Sequence, residues 1–253
     1  MRSAGPFHNT RRVPSSDVSA PIPTFVHHRS RLTEGQQRAW DRWWPVHGRD
    51  VRDVVDGGVA YDPPAWFGRS APLVLEIGSG MGESTAALAA AAPDVDHLAV
   101  EVFEPGLAQL LMRIADAGLA NLALLRGDAL ALLGESVPQG SLDAVRIFFP
   151  DPWPKRRHRK RRLVQPDVVA LVASRLRVGG TLHLATDWAD YATQMLAVCS
   201  AEPLLLNRSA DGWTPRPEWR PVTKFEERAR AEGREVHDLI FTRVAIASQS
   251  VTV

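Results

Sequence analysis

Between Leu73 and Ser200 the chain alternates short apolar runs with segments whose apolar residues recur at helical spacing. The runs cover residues 73–77, 97–102, 122–125, 142–149 and 181–186, and the helical segments cover 84–92, 105–117, 166–176 and 189–200. Two further runs, 203–206 and 235–244, flank a charged helical segment at 225–232. Strands separated by helices of this length pair in parallel through right-handed crossovers. The pattern therefore predicts an α/β fold with a mostly parallel, seven-stranded sheet and helices on both faces.

Length and composition limit the class of protein. The 253 residues are enough for one domain with a full core, which we expect to span 31–246. Residues 1–30 are rich in proline and poor in large apolar residues, so we predict a disordered tail there and a short tail at 247–253. Cys199 is the single cysteine, and no His/Cys cluster suggests a metal. No apolar run is long enough to span a bilayer. We expect a soluble, cytoplasmic protein without a metal or a membrane partner.

The first predicted strand ends in the glycine-rich turn LEIGSGMGES. Gly78 and Gly80 allow the backbone to turn sharply and to approach a ligand closely. A dinucleotide motif would need a third glycine where Glu83 stands, and an acid at a helix N-terminus disfavours a pyrophosphate. Glu76 adds a second carboxylate just before the turn. The turn therefore suits a ligand with a cationic end and no phosphate, such as S-adenosylmethionine.

Carboxylates after the next two strands extend this candidate site. Ligands of open parallel sheets bind beyond the carboxyl ends of the strands. Glu101 ends the second strand, where a carboxylate usually takes ribose hydroxyls, and Asp128 follows the third, placed to meet an adenine edge. Each acid alone could equally be a strand-end residue, because short motifs are weak signals singly. In series after three strands, they favour a nucleoside cofactor.

The segment IFFPDPWPKRRHRKRR combines a fixed carboxylate with a dense basic run. Asp151 lies between two of three prolines that hold the backbone extended at the end of a central strand, where chemistry would occur. Residues 155–162 then carry seven positive charges, so the rest of a chain with net charge +1 carries −6. A run this dense is typical of a solvated face, a localisation signal or a polyanion contact. Beside a candidate active site, it favours nucleic-acid phosphates.

Two later segments complete the candidate site. Asp187 follows the run at 181–186, where it can also cap the next helix. Residues 223–226 place a hydroxyl, an ammonium and a carboxylate next to one another just before a helix. Such a cluster, taken alone, is more often a capping box than a substrate site.

Together these motifs resemble those of the bacterial tRNA (guanine-N(7)-)-methyltransferases, which have the Rossmann-like fold of the class I S-adenosylmethionine-dependent methyltransferase superfamily. The resemblance runs from about residue 25 to residue 244 and rests on FVHHRSRLTEGQ, LEIGSGMGE, VEVFEPG, RGDA, FFPDPWPKRRHRKRRLVQP, LATDW and PVTKFEER. The proline-rich basic segment with the downstream TKFE is highly specific. Ser79 is a small departure, because the family often has phenylalanine or cysteine there.

The resemblance implies transfer of a methyl group from S-adenosylmethionine to nitrogen 7 of the guanine at position 46, in the tRNA variable loop. It assigns cofactor contacts to Glu76, Glu101, Asp128 and Asp151, and catalysis also to Asp151. It assigns substrate binding to Lys155, Asp187, Thr223, Lys224, Phe225 and Glu226. It assigns RNA contacts to Arg157, His158, Arg159, Lys160, Arg161 and Arg162.

Two other functions stay open at this point. One is an S-adenosylmethionine-dependent methyltransferase acting on another RNA or on a small molecule, and the other is a non-catalytic RNA-binding protein on the same scaffold. The intact series of acids argues against the second. The resemblance makes tRNA the expected partner and leaves a monomer and a homodimer equally open.

Overall fold

The computed structural model describes residues 31–245, so both predicted tails lie outside the described residues. Strands β1 to β8 span Gly48–Asp50, Leu73–Ile77, Asp96–Glu101, Leu122–Arg126, Leu142–Phe148, Leu176–Thr186, Leu205–Asn207 and His237–Arg243. Helices α1 to α9 span Glu34–His47, Val51–Val55, Pro63–Phe67, Glu83–Ala91, Glu104–Ala117, Ala129–Glu135, Pro166–Arg175, Ala189–Ala201 and Lys224–Ala231. A 3-10 helix covers Arg156–Arg161 in the basic run.

The strands form one sheet in the order β1-β4-β3-β2-β5-β6-β8-β7. Strands β1 to β6 pair in parallel, and β8 runs antiparallel to both β6 and β7. The α/β fold and the mostly parallel sheet are confirmed. The predicted number of seven strands is wrong by one, because β1 has three half-buried polar or glycine residues and carries no apolar signal. This topology brings the carboxyl ends of β2 to β6 to the same edge of the sheet.

Helices cover both faces of the sheet, as expected for parallel strands. Along β3, Leu98 and Val100 pack into a core on one face, whereas Ala99 packs into a second core on the other. The second core contains α5, whose buried Leu107, Leu110 and Ile114 recur at helical spacing. Burial of each leucine contributes roughly 1.5–3 kcal/mol to stability. This two-sided packing holds the strand ends rigidly.

Short elements account for most of the differences from the sequence prediction. Helices α2, α3 and α6 have five to seven residues, too few for a recognisable helical period. Strand β6 begins at Leu176, five residues before the predicted start, because the glycine-containing stretch 176–180 already belongs to the sheet. Within residues 31–245, no helix is both long and apolar enough to cross a membrane.

Candidate active site

A cavity of about 450 Å³ opens at the carboxyl ends of β2 to β5. We call the wall formed by the turns after β2, β3 and β4 the cofactor side, residues 76–84, 100–103 and 127–130. We call the wall formed by the turn after β5 and the start of α9 the acceptor side, residues 148–151 and 223–225. The cavity brings together many of the predicted residues: Glu76, Gly78, Gly80, Glu101, Asp128, Asp151, Thr223, Lys224 and Phe225. Lys155, Asp187, Glu226 and residues 157–162 do not line it.

The glycine turn needs its glycines for conformation. Gly78 and Gly80 have φ angles of 80° and 55°, values that other residues adopt only at a cost. No atom lies within 4 Å of the position that a Cβ would take at either residue. The turn therefore offers bare backbone to the cavity, as the sequence predicted.

Glu101 holds the glycine turn in place. Its Oε2 accepts a hydrogen bond of 2.8 Å from Gly80 N, and its Oε1 accepts bonds of 2.7 and 2.9 Å from Val102 N and Phe103 N. A carboxylate has about four acceptor positions, so capacity remains on Oε2 for a ligand hydroxyl. The predicted ribose contact is compatible with this geometry, and Glu101 has a structural task that the sequence did not reveal.

Glu76 has an oxygen without a protein partner. The residue is 5% exposed, and its Oε1 accepts a hydrogen bond of 3.0 Å from Thr85 Oγ1. Its Oε2 is buried and makes no hydrogen bond with residues 31–245, and the same holds for Ser79 Oγ in the adjacent turn. Burial raises the pKa of Glu76, opposed by the nearby Arg146 guanidinium. An unsatisfied buried carboxylate in a cavity wall fits a cationic amino group.

Asp128 occupies the third strand end and is exposed. Its Oδ1 accepts a hydrogen bond of 2.8 Å from Leu130 N and caps α6. Because α6 has only seven residues, neither the helix nor this cap was predicted from the sequence. Asp128 still lines the cavity next to Gly127, so both tasks are available to one carboxylate.

The turn that carries Asp151 has an unusual backbone. Phe149 and Trp153, at φ 50° and 42°, are the non-glycine residues with positive φ among residues 31–245. Such conformations cost on the order of 1–3 kcal/mol each and persist only where the surroundings enforce them. The Phe149 N–H donates a hydrogen bond of 2.7 Å to Ala185 O, which anchors the turn to β6. Asp151 is thus held at the cavity by a constrained segment.

Arg162 is buried, and the prediction that it contacts RNA is wrong. Its side chain is 1% exposed. Its Nε donates a hydrogen bond of 2.8 Å to Pro152 O and its Nη1 one of 2.7 Å to Gln194 Oε1, while Nη2 pairs with Asp190 at 2.5 Å. The 3-10 helix ends just before Arg162, so this side chain turns inward. Arg162 therefore supports the Asp151 turn from inside the protein.

The rest of the basic run lies outside. Arg157, Arg159 and Lys160 are exposed, as is Lys155, whereas Arg161 and His158 are half-buried. The Arg161 guanidinium lies 5.0 Å from the centre of the Trp153 ring, and His158 meets the same ring edge-on at 5.9 Å. Arg159 pairs with Asp190 at 3.2 Å, beside Arg162. The exposed charges remain available for the predicted phosphate contacts.

Glu226 is enclosed, and its predicted substrate contact is wrong. The side chain is 0% exposed and pairs with Arg216 at 2.9 Å, with Arg220 at 2.8 Å and with Arg230. Thr223 Oγ1 accepts a hydrogen bond of 3.2 Å from Glu226 N and so caps α9, whereas the Glu226 side chain pairs with arginines; the N-cap half of the predicted capping box is confirmed. The carboxylate is buried because three arginines, four to ten residues away along the chain, converge on it.

Asp187 pairs with Arg234 and does not cap α8, whose N-terminus has no side-chain cap.

The start of α9 closes the cavity on the acceptor side. Lys224 Nζ lies 2.7 Å from Glu83 Oε1 on the glycine turn, and Phe225 stacks on Phe149 with ring centres 5.9 Å apart and planes 16° apart. The acceptor side therefore combines two stacked aromatic rings with the Asp151 carboxylate.

Two arginines inside the molecule, close to the site, were not predicted from the sequence. Arg146 lies opposite Glu76 in the sheet register and Arg220 is fully buried. One signal was available: Arg146 lies among the apolar residues of LDAVRIF, near the middle of the sheet, where a charge needs a partner. Arg220 carries no such local signal.

Named relatives can be aligned with almost the whole chain. A tRNA (guanine-N(7)-)-methyltransferase from Paracidovorax citrulli is 51% identical over 234 residues, covering 92% of each chain. One from Nocardia farcinica is 48% identical over 252 residues, covering 96% of this chain and 92% of the relative. One from Pseudomonas aeruginosa is 50% identical over 224 residues, covering 88% of this chain and 90% of the relative.

Solved structures agree in fold. The antibiotic-resistance methyltransferase Kmr has a TM-score of 0.53 at 16% identity, over 75% of this chain and 96% of its own. The 16S rRNA methyltransferase KamB has a TM-score of 0.52 at 16% identity, over 69% and 88%. A family model described as "Putative methyltransferase" matches residues 70–239. The Rossmann-like class I methyltransferase fold is confirmed, and the chain belongs to the tRNA (guanine-N(7)-)-methyltransferase family.

Proposed function

We propose that this protein is a cytoplasmic enzyme that methylates nitrogen 7 of the guanine at position 46 of tRNA, with S-adenosylmethionine as methyl donor. The observation that carries the proposal is a single cavity with an unsatisfied buried carboxylate, Glu76, on one side and Asp151 on the other. The exposed part of the basic run follows Asp151 directly. Relatives about half identical over most of their length bear the name of this activity.

The cofactor side suits the parts of S-adenosylmethionine. Glu76 Oε2 would accept from its ammonium group, and Ser79 Oγ offers a second buried polar atom in reach of the same turn. Glu101 has acceptor capacity for the ribose hydroxyls, and Asp128 lines the cavity at the next strand end for the adenine edge. Gly78 and Gly80 leave open space along the backbone for the molecule's length. No phosphate is needed, which agrees with the acids that surround the turn.

Nitrogen 7 of guanine carries a lone pair on the major-groove edge of the base and needs no deprotonation before it reacts. When bound, S-adenosylmethionine supplies a sulfonium methyl group, whose bond to sulfur breaks as the bond to nitrogen 7 forms and the positive charge passes to the purine. Asp151 is held by a rigid turn, so its carboxylate is oriented in advance to stabilise that charge. Phe225, stacked on Phe149, gives the acceptor side a flat apolar surface for an unstacked base.

Recognition of the tRNA would rest mainly on its phosphates. Arg157, Arg159 and Lys160 are exposed beyond the Asp151 turn, and each phosphate that they neutralise releases bound counterions. A guanine inside folded tRNA must leave its stack to enter a cavity, which costs a few kcal/mol. The contacts of the basic run would offset part of this cost.

Methyl transfer to defined RNAs tests the proposal. The protein is incubated with methyl-labelled S-adenosylmethionine and an unmodified tRNA transcript, and the product is mapped by chain cleavage at 7-methylguanine. A matched transcript carries 7-deazaguanine at position 46 only, which removes the accepting nitrogen and keeps the Watson–Crick edge. We expect label at position 46 of the first transcript and none on the second. Equal labelling of both would overturn the assignment, and label on another RNA alone would identify a different substrate.

A further inference from the structure

Arg220 is a fully buried arginine shared by two carboxylates. Its Nη1 donates a hydrogen bond of 2.8 Å to Glu226 Oε2, and its Nη2 donates one of 2.9 Å to Asp238 Oδ2. Its Nε lies 2.8 Å from Asp238 Oδ1. Glu226 belongs to the first turn of α9 and Asp238 to β8. The guanidinium therefore joins the helix that closes the cavity to the sheet beneath it.

The same guanidinium also reaches the end of β5. It lies 5.9 Å from the centre of the Phe148 ring and 5.8 Å from that of Phe149. Asp238 Oδ1 is also 2.7 Å from His183 Nε2, and the His183 ring meets Phe148 edge-on at 4.9 Å. Phe148 and Phe149, which Arg220 and His183 contact, are the residues that lead into the Asp151 turn. Arg220 thus contacts the start of α9, strand β8 and the end of β5, the three segments that form or support the acceptor side.

Arg220 does not touch the cavity. Neither it nor Asp238 or His183 lines the wall. The contacts pass instead through Phe149, whose positive φ requires support, and through the stacked Phe225. A buried arginine held by two carboxylates has a fixed position, because its planar fork matches both partners. Arg220 would therefore influence the reaction by fixing the positions of the residues on the acceptor side.

Accepting the proposed methyl transfer, we infer that Arg220 is a positioning residue that sets the distance between the Asp151 turn and the start of α9. It holds Phe149 and Phe225 as a stacked pair, and so fixes where the guanine lies relative to Asp151 and the methyl group. Glu226, which the sequence assigned to the substrate, acts in this arrangement as a partner of Arg220. A shift of the acceptor by about 1 Å lowers a transfer rate on the order of 100-fold.

The test uses Arg220→Lys, which keeps the buried charge and loses the fork. Methyl transfer is measured at saturating tRNA and S-adenosylmethionine and expressed per S-adenosylmethionine-binding site, counted by equilibrium dialysis. We expect kcat per site to fall about 10- to 100-fold. The dissociation constant of S-adenosylmethionine and the salt dependence of tRNA binding should stay within about threefold, since neither contact set includes Arg220. A purely structural role would lower the number of binding sites and the Tm, with kcat per site unchanged.

Arg175→Lys is the matched control. Arg175 is a half-buried arginine whose Nε donates a hydrogen bond of 2.7 Å to Leu133 O, away from the cavity. It should lower the Tm without lowering kcat per site. If Arg220→Lys yields no binding sites, Asp238→Asn decides, with an expected loss in kcat per site of about 3- to 10-fold. Wild-type kcat per site in the variant that folds overturns the inference, whereas a wild-type protein inactive on tRNA overturns the proposed function itself.

Discussion

The two sides of the cavity are built from different kinds of contact. On the cofactor side, Glu101 accepts from backbone N–H groups and Glu76 is bonded to Thr85 of the next helix, so the geometry follows from the strand–turn–helix repeat. On the acceptor side, Arg162 joins the Asp151 turn to α8, and Arg220 joins α9 to β8. The first side is fixed mainly by hydrogen bonds from backbone N–H groups, and the second by pairs between arginine and carboxylate side chains of different elements. Substitutions on the two sides should therefore have different kinds of effect on binding and catalysis.

The largest effect is expected from Asp151→Asn on the acceptor side. The amide keeps the shape of the carboxylate and removes the charge that stabilises the methylated purine, so kcat should fall about 10²- to 10³-fold. The dissociation constants of S-adenosylmethionine and tRNA should change only a few-fold, because the side chain stays in the same turn. Kinetics and direct binding measurements check this. Asp167→Asn, on the exposed surface of α7, is the control and should have wild-type kcat. Equal losses of kcat and tRNA affinity would contradict a catalytic role for Asp151.

On the cofactor side, Glu76→Gln should weaken binding of S-adenosylmethionine about 10- to 100-fold, the value of a charge-assisted hydrogen bond of roughly 1.5–3 kcal/mol. Binding of tRNA should be unchanged. Burial raises the pKa of Glu76, so its carboxyl takes up a proton at a higher pH than an ordinary glutamate does. Wild-type affinity for the cofactor should accordingly fall as the pH drops through that raised pKa.

Calorimetric titrations from neutral to acidic pH measure both effects. The acid-side fall in affinity should be absent in Glu76→Gln, because an amide does not titrate. Glu135→Gln, at the exposed end of α6, is the matched control and should keep wild-type affinity and pH dependence. A Glu76→Gln protein that retains the full pH dependence would show that another group binds the cation.

The same contrast explains what the sequence could predict. Glycines, strand ends and the acids after them follow a short-range repeat, so the placement of Gly78, Gly80 and Glu101 at one cavity was predictable. Asp151 was predictable because prolines on both sides restrict its backbone. The roles of Arg162 and Glu226 were not predictable. Seven similar charges in the basic run do not indicate that Arg162 is the one that turns inward. The capping pattern at the start of α9 does not indicate that three arginines surround Glu226. Inward and outward direction is decided by tertiary packing.

The smallest effects are expected from single exposed residues of the basic run. Arg157→Ala and Lys160→Ala should each weaken tRNA binding several-fold and make the plot of log K against log salt concentration shallower by about 0.7–0.9 per lost phosphate contact. Arg162→Lys should leave that slope unchanged, because its guanidinium is buried against Pro152 O and Asp190, and should lower kcat instead. Binding titrations over a range of salt concentrations, together with kcat, separate the two outcomes. If Arg162→Lys changed the slope as much as Arg157→Ala does, the basic run would act as one surface and the division between supporting and RNA-facing arginines would be wrong.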